Sequence, residues 1–232
     1  IYTIPNFQNP TGTCLSGSRR RALIDLAARY NVALLEDDFV GDLRYEGRAQ
    51  PSLKALDPGG LVLHMGAFSK MLLPGLRVGF VVADGPALER LAHAKRLQDL
   101  ATSNILQRAL EAYVTVGRYQ VHLRRSCRVY RLRRDAMWAA IARHLPQGAH
   151  CWRPQGGLFT WVRLPAGLSA ARLLATSREE GVSFAPGSRF FAEGSEGEPH
   201  LRLNFAVHQP EVIDEGLRRL GRAIRRLAAG DL

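Results

Sequence analysis

Three polar residues in the first third of the chain each follow a short apolar run: Asn9 after residues 1–4, Asp37 after 32–35 and Lys70 after 61–65. Their chemistry is complementary. A lysine held in a desolvated site has a lowered pKa and forms a Schiff base with an aldehyde. A carboxylate can pair with a pyridine nitrogen and keep it protonated, so that the ring draws electrons. An asparagine amide can donate to a phenolate oxygen. Together the three meet the needs of pyridoxal 5'-phosphate (PLP). Each also has a plainer reading. Asn9-Pro10-Thr11-Gly12 is a good turn sequence, Glu36-Asp37-Asp38 suits a solvated loop or a helix cap, and a lone lysine usually sits on the surface. Order and spacing give the combination its weight.

Such residues need strands whose carboxyl ends meet. Ligands of open α/β sheets bind outside those ends. The pattern predicts a strand end over 1–4, a helix from Ser16 or Ser18 to about Tyr30 with Leu23, Leu26, Ala27 and Tyr30 on one face, and buried strands over 32–35, 61–65 and 77–83. Helices follow over 86–98 and 104–116, and a long one follows Gly117, from near Arg118 to about His144. A strand over 158–164, a helix over 170–180, a strand over 200–206 and an amphipathic helix opened by Gln209-Pro210 form the tail. Alternating strands and helices predict an α/β, parallel-rich sheet in residues 1–117. Residues 118–232 are expected to hold a bridging helix and a small α+β domain.

Hydrophobic residues make up 46% and charged residues 23%, as in a folded globular protein, and no apolar run is long enough to cross a bilayer. Membrane partners are therefore not expected. Residues 1–4 lack the basic start of a secretory signal and read as mid-strand, so a longer parent is expected. Cys14, Cys127 and Cys151 are odd in number, widely spaced and free of any metal-ligand pattern, which suits a reducing cytoplasm and argues against a metal site. The net charge of +11 comes largely from arginine clusters over 124–134 and 218–226. Such charge can bind nucleic acid, but no interleaved aromatic motif accompanies it, and a solvated helix face is the favoured reading. His64 reads as an internal histidine, and Trp152 and Trp161 as packing residues.

Four segments resemble the class I/II aminotransferases of PLP fold type I. These are Pro5-Asn6-Phe7-Gln8-Asn9-Pro10-Thr11-Gly12, Leu35-Glu36-Asp37-Asp38-Phe39, Gly66-Ala67-Phe68-Ser69-Lys70 with Pro74-Gly75-Leu76-Arg77-Val78-Gly79, and Leu201-Arg202-Leu203-Asn204-Phe205. The resemblance implies the fold-type-I transferase fold, with the C-terminal part of the large domain and a small domain present. It also implies PLP as cofactor, Lys70 as its covalent attachment and proton shuttle, Asp37 against the ring nitrogen, and Asn9 against the 3-oxygen and near the substrate. Arg77 would hold the phosphate, and Arg202 would clamp the α-carboxylate of an amino acid or 2-oxo acid, for which a planar guanidinium suits two parallel bonds. Gly156-Gly157 and Pro186-Gly187-Ser188 resemble smaller family features.

Two positions depart from the family pattern. Phe39 stands beside the ring where relatives often carry a tyrosine that bonds the 3-oxygen. Ala67 stands where they often carry a phosphate-touching Ser or Thr, and Ser69 is the hydroxyl available to compensate. Three functions follow from the resemblance. The first is transamination. The second is PLP or amino-acid sensing by the effector domain of a MocR-type transcriptional regulator, which meets DNA through a winged-helix domain upstream. Glu36 to Asp57 resembles that branch, and Phe39 and Ala67 fit its weaker catalytic demand, so a regulator origin is the expectation. The third is another fold-type-I activity, a lyase or decarboxylase, and a clamped carboxylate argues against decarboxylation. Fold-type-I relatives build each site at a subunit boundary, so a homodimer is expected of the parent.

Overall fold

The computed structural model describes residues 1–230. In chain order the elements are β1 (Tyr2–Thr3), α1 (Gly17–Tyr30), β2 (Leu34–Asp37), α2 (Leu53–Leu56), β3 (Val62–Ala67), α3 (Phe68–Met71), β4 (Gly79–Val82), α4 (Gly85–Asp99), α5 (Asn104–Thr115) and α6 (Arg118–His144). The tail adds β5 (His150–Cys151), β6 (Phe159–Arg163), α7 (Ala170–Glu179), β7 (Ala185–Pro186), α8 (Gly194–Gly197), β8 (His200–Asn204) and α9 (Pro210–Ala229). The chain forms two compact units: Ile1–Gln8 with Thr13–Cys127, and Asn9–Gly12 with Arg128–Leu232. The division between these units falls inside α6.

The first unit is built on a four-stranded sheet in the order β1-β2-β3-β4. β1, β2 and β3 are parallel, and β4 runs antiparallel to β3. The reason lies in the connection. Between β3 and β4 stand only α3 and one 3₁₀ turn at Pro74–Leu76. A parallel return needs a crossover of a dozen residues or more. Ser16 caps α1 by accepting from the Arg19 N–H, and Asn31 ends it in the left-handed region. The helix buries Arg20, Ile24 and Ala27, whereas Leu26 and Tyr30 are exposed. The inward face is thus rotated from the expected one, because α1 covers Leu34, Leu53 and Val62 with Ile24 and Ala27 and turns the Arg20 guanidinium into the polar strand-end loops.

Arg20 is fully buried. It donates from Nε to Leu15 O (2.9 Å), from Nη1 to Pro51 O (3.0 Å), and from Nη2 to Pro5 O (3.0 Å) and Asn6 Oδ1 (2.7 Å). Asn6 Nδ2 in turn donates to Asp38 Oδ1 at 2.9 Å. One guanidinium therefore ties the loop after β1 to the loop after β2. The Pro5 carbonyl also accepts from the Leu15 N–H at 2.8 Å, while Arg20 supplies a donor to the Leu15 and Pro51 carbonyls.

The second unit carries a sheet in the order β5-β6-β8-β7, with every pairing antiparallel. α9 lays Ile213, Leu217, Leu220, Ile224 and Leu227 inward at helical spacing. Its other face carries ion pairs: Glu215 with Arg218 and Arg219, and Glu180 with Arg222 and Arg226. This basic cluster is a charge-paired helix face, as favoured above. The cluster in α6 is less uniform, since Arg134 is buried and donates to Pro154 O at 2.6 Å. Among the described residues no helix is long and apolar enough to cross a membrane.

Candidate active site

In the first unit, β2 ends in Asp37, which stands opposite Met65 of the parallel neighbour β3. Lys70 sits on α3, which follows β3 directly. A carboxylate and an amine therefore stand at the carboxyl ends of adjacent parallel strands. α3 turns Phe68 and Met71 toward protein and Lys70 outward. Met71 is buried, and the Phe68 ring packs edge-on against Tyr119 at 5.8 Å. In this chain Lys70 is exposed, and of the four residues of α3 Met71 alone is buried.

The rest of the lysine segment sets a guanidinium beside a hydroxyl. Arg77 lies in the left-handed region at φ 51° and donates from Nη1 to Ser69 Oγ at 3.2 Å. The guanidinium keeps its remaining N–H groups, beside a hydroxyl that can donate in turn. Ala67 closes β3 and offers α3 no side-chain cap. Phe39 is half-buried in the loop after β2.

Two neighbours of Asp37 were not legible as site residues. Tyr2 donates its hydroxyl to Asp37 Oδ2 at 2.6 Å. Glu36 points to the other face, where it is fully buried. It accepts from the N–H groups of Leu53 (2.7 Å) and Lys54 (3.0 Å) and pairs with His64 Nδ1 at 2.9 Å. Burial alone would raise the Glu36 carboxyl, but those bonds outweigh it and hold the group below its usual range. The bond to Glu36 raises His64, against the opposing effect of its own burial. This buried pair braces the strand residue next to Asp37.

The His64 pair makes stability pH-dependent. Its folded pKa is raised, so its contribution is complete below the ordinary imidazole value near 6.5 and is lost as pH rises through the folded value. His64→Leu should cost about 1–3 kcal/mol at pH 5.5, and the gap in melting temperature from the native protein should narrow toward pH 8.5. A gap that stays constant across that range rules the pair out as the cause.

Asn9 and Arg202 belong to the second unit. Arg202 donates from Nη1 to Asn9 Oδ1 at 2.6 Å. Its Cζ lies 4.1 Å from the Phe159 ring centroid and 4.9 Å from that of Phe190. Its Nε is buried without a hydrogen-bond partner, and burial lowers its pKa from the ordinary value. A guanidinium that is partly dried, clamped between rings and short of one acceptor is suited to receive a carboxylate. Gly12 makes the Asn9 loop possible. It has φ +71°, and an added Cβ would lie 3.2 Å from Phe159 O and 3.3 Å from Pro154 Cβ. Trp161, opposite Arg202 in the sheet, stacks on His200 at 5.2 Å, in keeping with a packing role.

The candidates thus fall into two groups. The first unit holds Asp37, Phe39, Ser69, Lys70 and Arg77, while the second holds Asn9 and Arg202. Phe159 and Phe190 escaped the sequence reading because nothing local marks an aromatic residue as the wall of an arginine site. The alternation of β6 was the available signal for Phe159.

The chain matches the family model for aminotransferase class I and II over residues 3–220. It is 42% identical over 234 residues to the 2-aminoadipate transaminase of Thermus thermophilus, covering 99% of this chain and 58% of the relative. It is 34% identical to the HTH-type transcriptional regulator TauR of Rhodobacter capsulatus, covering 97% of this chain and 46% of the regulator. The crystal structure of a multiple substrate aminotransferase from Thermococcus profundus superposes with a TM-score of 0.94 at 35% identity, over 99% of this chain and 57% of that one. The chain spans about half the length of the curated relatives it matches. With its strand-end carboxylate and amine and its fold-type-I architecture, the chain belongs to the class I and II aminotransferase family.

Proposed function

We propose that the full-length protein containing this chain transfers an amino group between an amino acid and a 2-oxo acid, with PLP as cofactor. The observation that carries this reading is Asp37 and Lys70 at the carboxyl ends of two hydrogen-bonded parallel strands. The residues fit the group chemically: an amine, a carboxylate with one oxygen free of partners, an Arg77–Ser69 pair for a phosphate, and an arginine with an orphaned Nε. Bound PLP supplies an electrophilic carbon and an electron-withdrawing ring. Lys70 would bind the cofactor and carry a proton at Nζ. Asp37 would hold a proton on the ring nitrogen, and Asn9 would face the 3-oxygen. Arg77 and Ser69 would anchor the phosphate, with Phe39 as an apolar neighbour of the ring. Arg202, held by Asn9 and two rings, would orient the substrate by its α-carboxylate. Retention of that carboxylate favours transamination over decarboxylation. The intact protein is read as a cytoplasmic homodimer.

A second reading is supported by the regulator relatives, TauR among them, and by the hydroxyls missing at Phe39 and Ala67. In it the same site senses PLP or an amino acid, and a separate domain binds DNA. Borohydride reduction of the PLP-loaded full-length protein, followed by peptide mass mapping, tests the shared cofactor chemistry. The pyridoxyl mass is expected on Lys70. A label on Lys54 or Lys95 would falsify the assignment. Steady production of 2-oxo acid from an amino acid separates turnover from sensing.

A further inference from the structure

We propose that Tyr2 is a positioning residue for the cofactor-facing carboxylate: its hydroxyl holds Oδ2 of Asp37 so that Oδ1 is the oxygen presented to the ring nitrogen. The inference rests on the PLP reading above and names a residue that reading leaves out.

The sheet register sets up the contact. Tyr2 of β1 stands opposite Leu35 of β2. Side chains alternate along a strand, so Leu35 and Asp37 share a face, and Tyr2 shares it with them. Asp37 is the diagonal neighbour, within reach of a long side chain but beyond a short one. The phenol spans that diagonal and donates at 2.6 Å, a length typical of a hydroxyl on an ionised carboxylate. Glu36 faces the opposite side and is engaged with His64, Leu53 and Lys54, so it cannot substitute for Asp37.

The phenol is well suited to this task. Partial burial and the Asp37 carboxylate push its hydroxyl up to about 12. It therefore remains a donor throughout the neutral range. Tyr2 is 55% exposed, so the bond is not forced by tight packing around the ring. Among the described residues the Asp37 carboxylate has no other hydrogen-bond partner. Without Tyr2 it would rotate and share both oxygens with water. With Tyr2, one oxygen is committed and the plane of the group is set.

The test uses the full-length protein loaded with PLP labelled with ¹⁵N in the ring. Tyr2→Phe removes one oxygen from a half-exposed side chain, so folding is retained, and a melting curve checks this. The dissociation constant for PLP is expected to rise about tenfold, the scale of one hydrogen bond to a charged group. The ring ¹⁵N resonance, which reports only bound cofactor, is expected to move toward the unprotonated position. Asp37→Asn should move it further in the same direction. If Asp37→Asn moves the resonance while Tyr2→Phe changes neither resonance nor affinity, the role of Tyr2 is overturned and the cofactor reading stands. If Asp37→Asn leaves the resonance in place, Asp37 does not face the ring nitrogen, and both fall together.

Discussion

Lys70→Ala in the full-length protein is expected to reduce amino-group transfer by at least about a thousandfold, within the range that a positioned proton-transfer group contributes. The fold should barely register the change. Lys70 is exposed, and α3 is anchored by its other face through Met71 and Phe68 against Tyr119. Tyr119 is itself held by donating to Asp42 Oδ2 at 3.0 Å. An exposed substitution of this kind shifts stability by about 0.5 kcal/mol or less. The contrast between lost chemistry and an unchanged melting temperature of the cofactor-free protein is the signature to measure. Lys54 and Lys95 are each engaged elsewhere, Lys54 with Asp84 and Lys95 with Asp99. Turnover within tenfold of the native protein would remove Lys70 from the centre of the mechanism.

The largest expected loss of stability comes from Arg20→Met. Methionine fills most of the volume but offers no donor. The Leu15, Pro51 and Pro5 carbonyls and Asn6 Oδ1 would lose their shared partner in a place that water does not reach freely. Each buried acceptor left without a donor costs about 1–3 kcal/mol, and Leu15 O, Pro51 O and Asn6 Oδ1 lose the Arg20 donor together. Burial already lowers the Arg20 pKa from its ordinary value, most of all by desolvation, so the charge is kept for the bonds it makes. Chemical denaturation of the full-length variant measures the loss. The loosened loop after β1 should also weaken PLP binding, because the same guanidinium holds Asn6 in the segment that leads to Asn9. A loss below about 1 kcal/mol, the scale of a single ordinary hydrogen bond, would show that the network relaxes around the change.

The motif residues were legible because strand-end chemistry leaves local marks. A short apolar run followed by Asp or Lys reads the same in sequence and in space, whereas Asn9 falls in the second unit; the helices of the tail announced themselves by periodicity and by Pro210. Strand direction was less accessible. β4 carries the apolar run of a parallel neighbour, yet the short link through α3 turned it antiparallel. The inward face of α1 also escaped, since Leu26 and Tyr30 look like core residues while the buried position belongs to Arg20. A charged side chain goes inside only where several carbonyls converge on it, and that convergence joins residues 5, 6, 15 and 51. The same holds at the site. Asp37 and Arg202 could be named from their strands, but the hydroxyl of Tyr2 on Asp37 and the rings of Phe159 and Phe190 around Arg202 arise only when strands distant in sequence pair in register. Local sequence carries the candidate site residues. The fold selects the residues that hold them, because hydrogen bonds and ring contacts act through space over a few ångströms and take no account of distance along the chain.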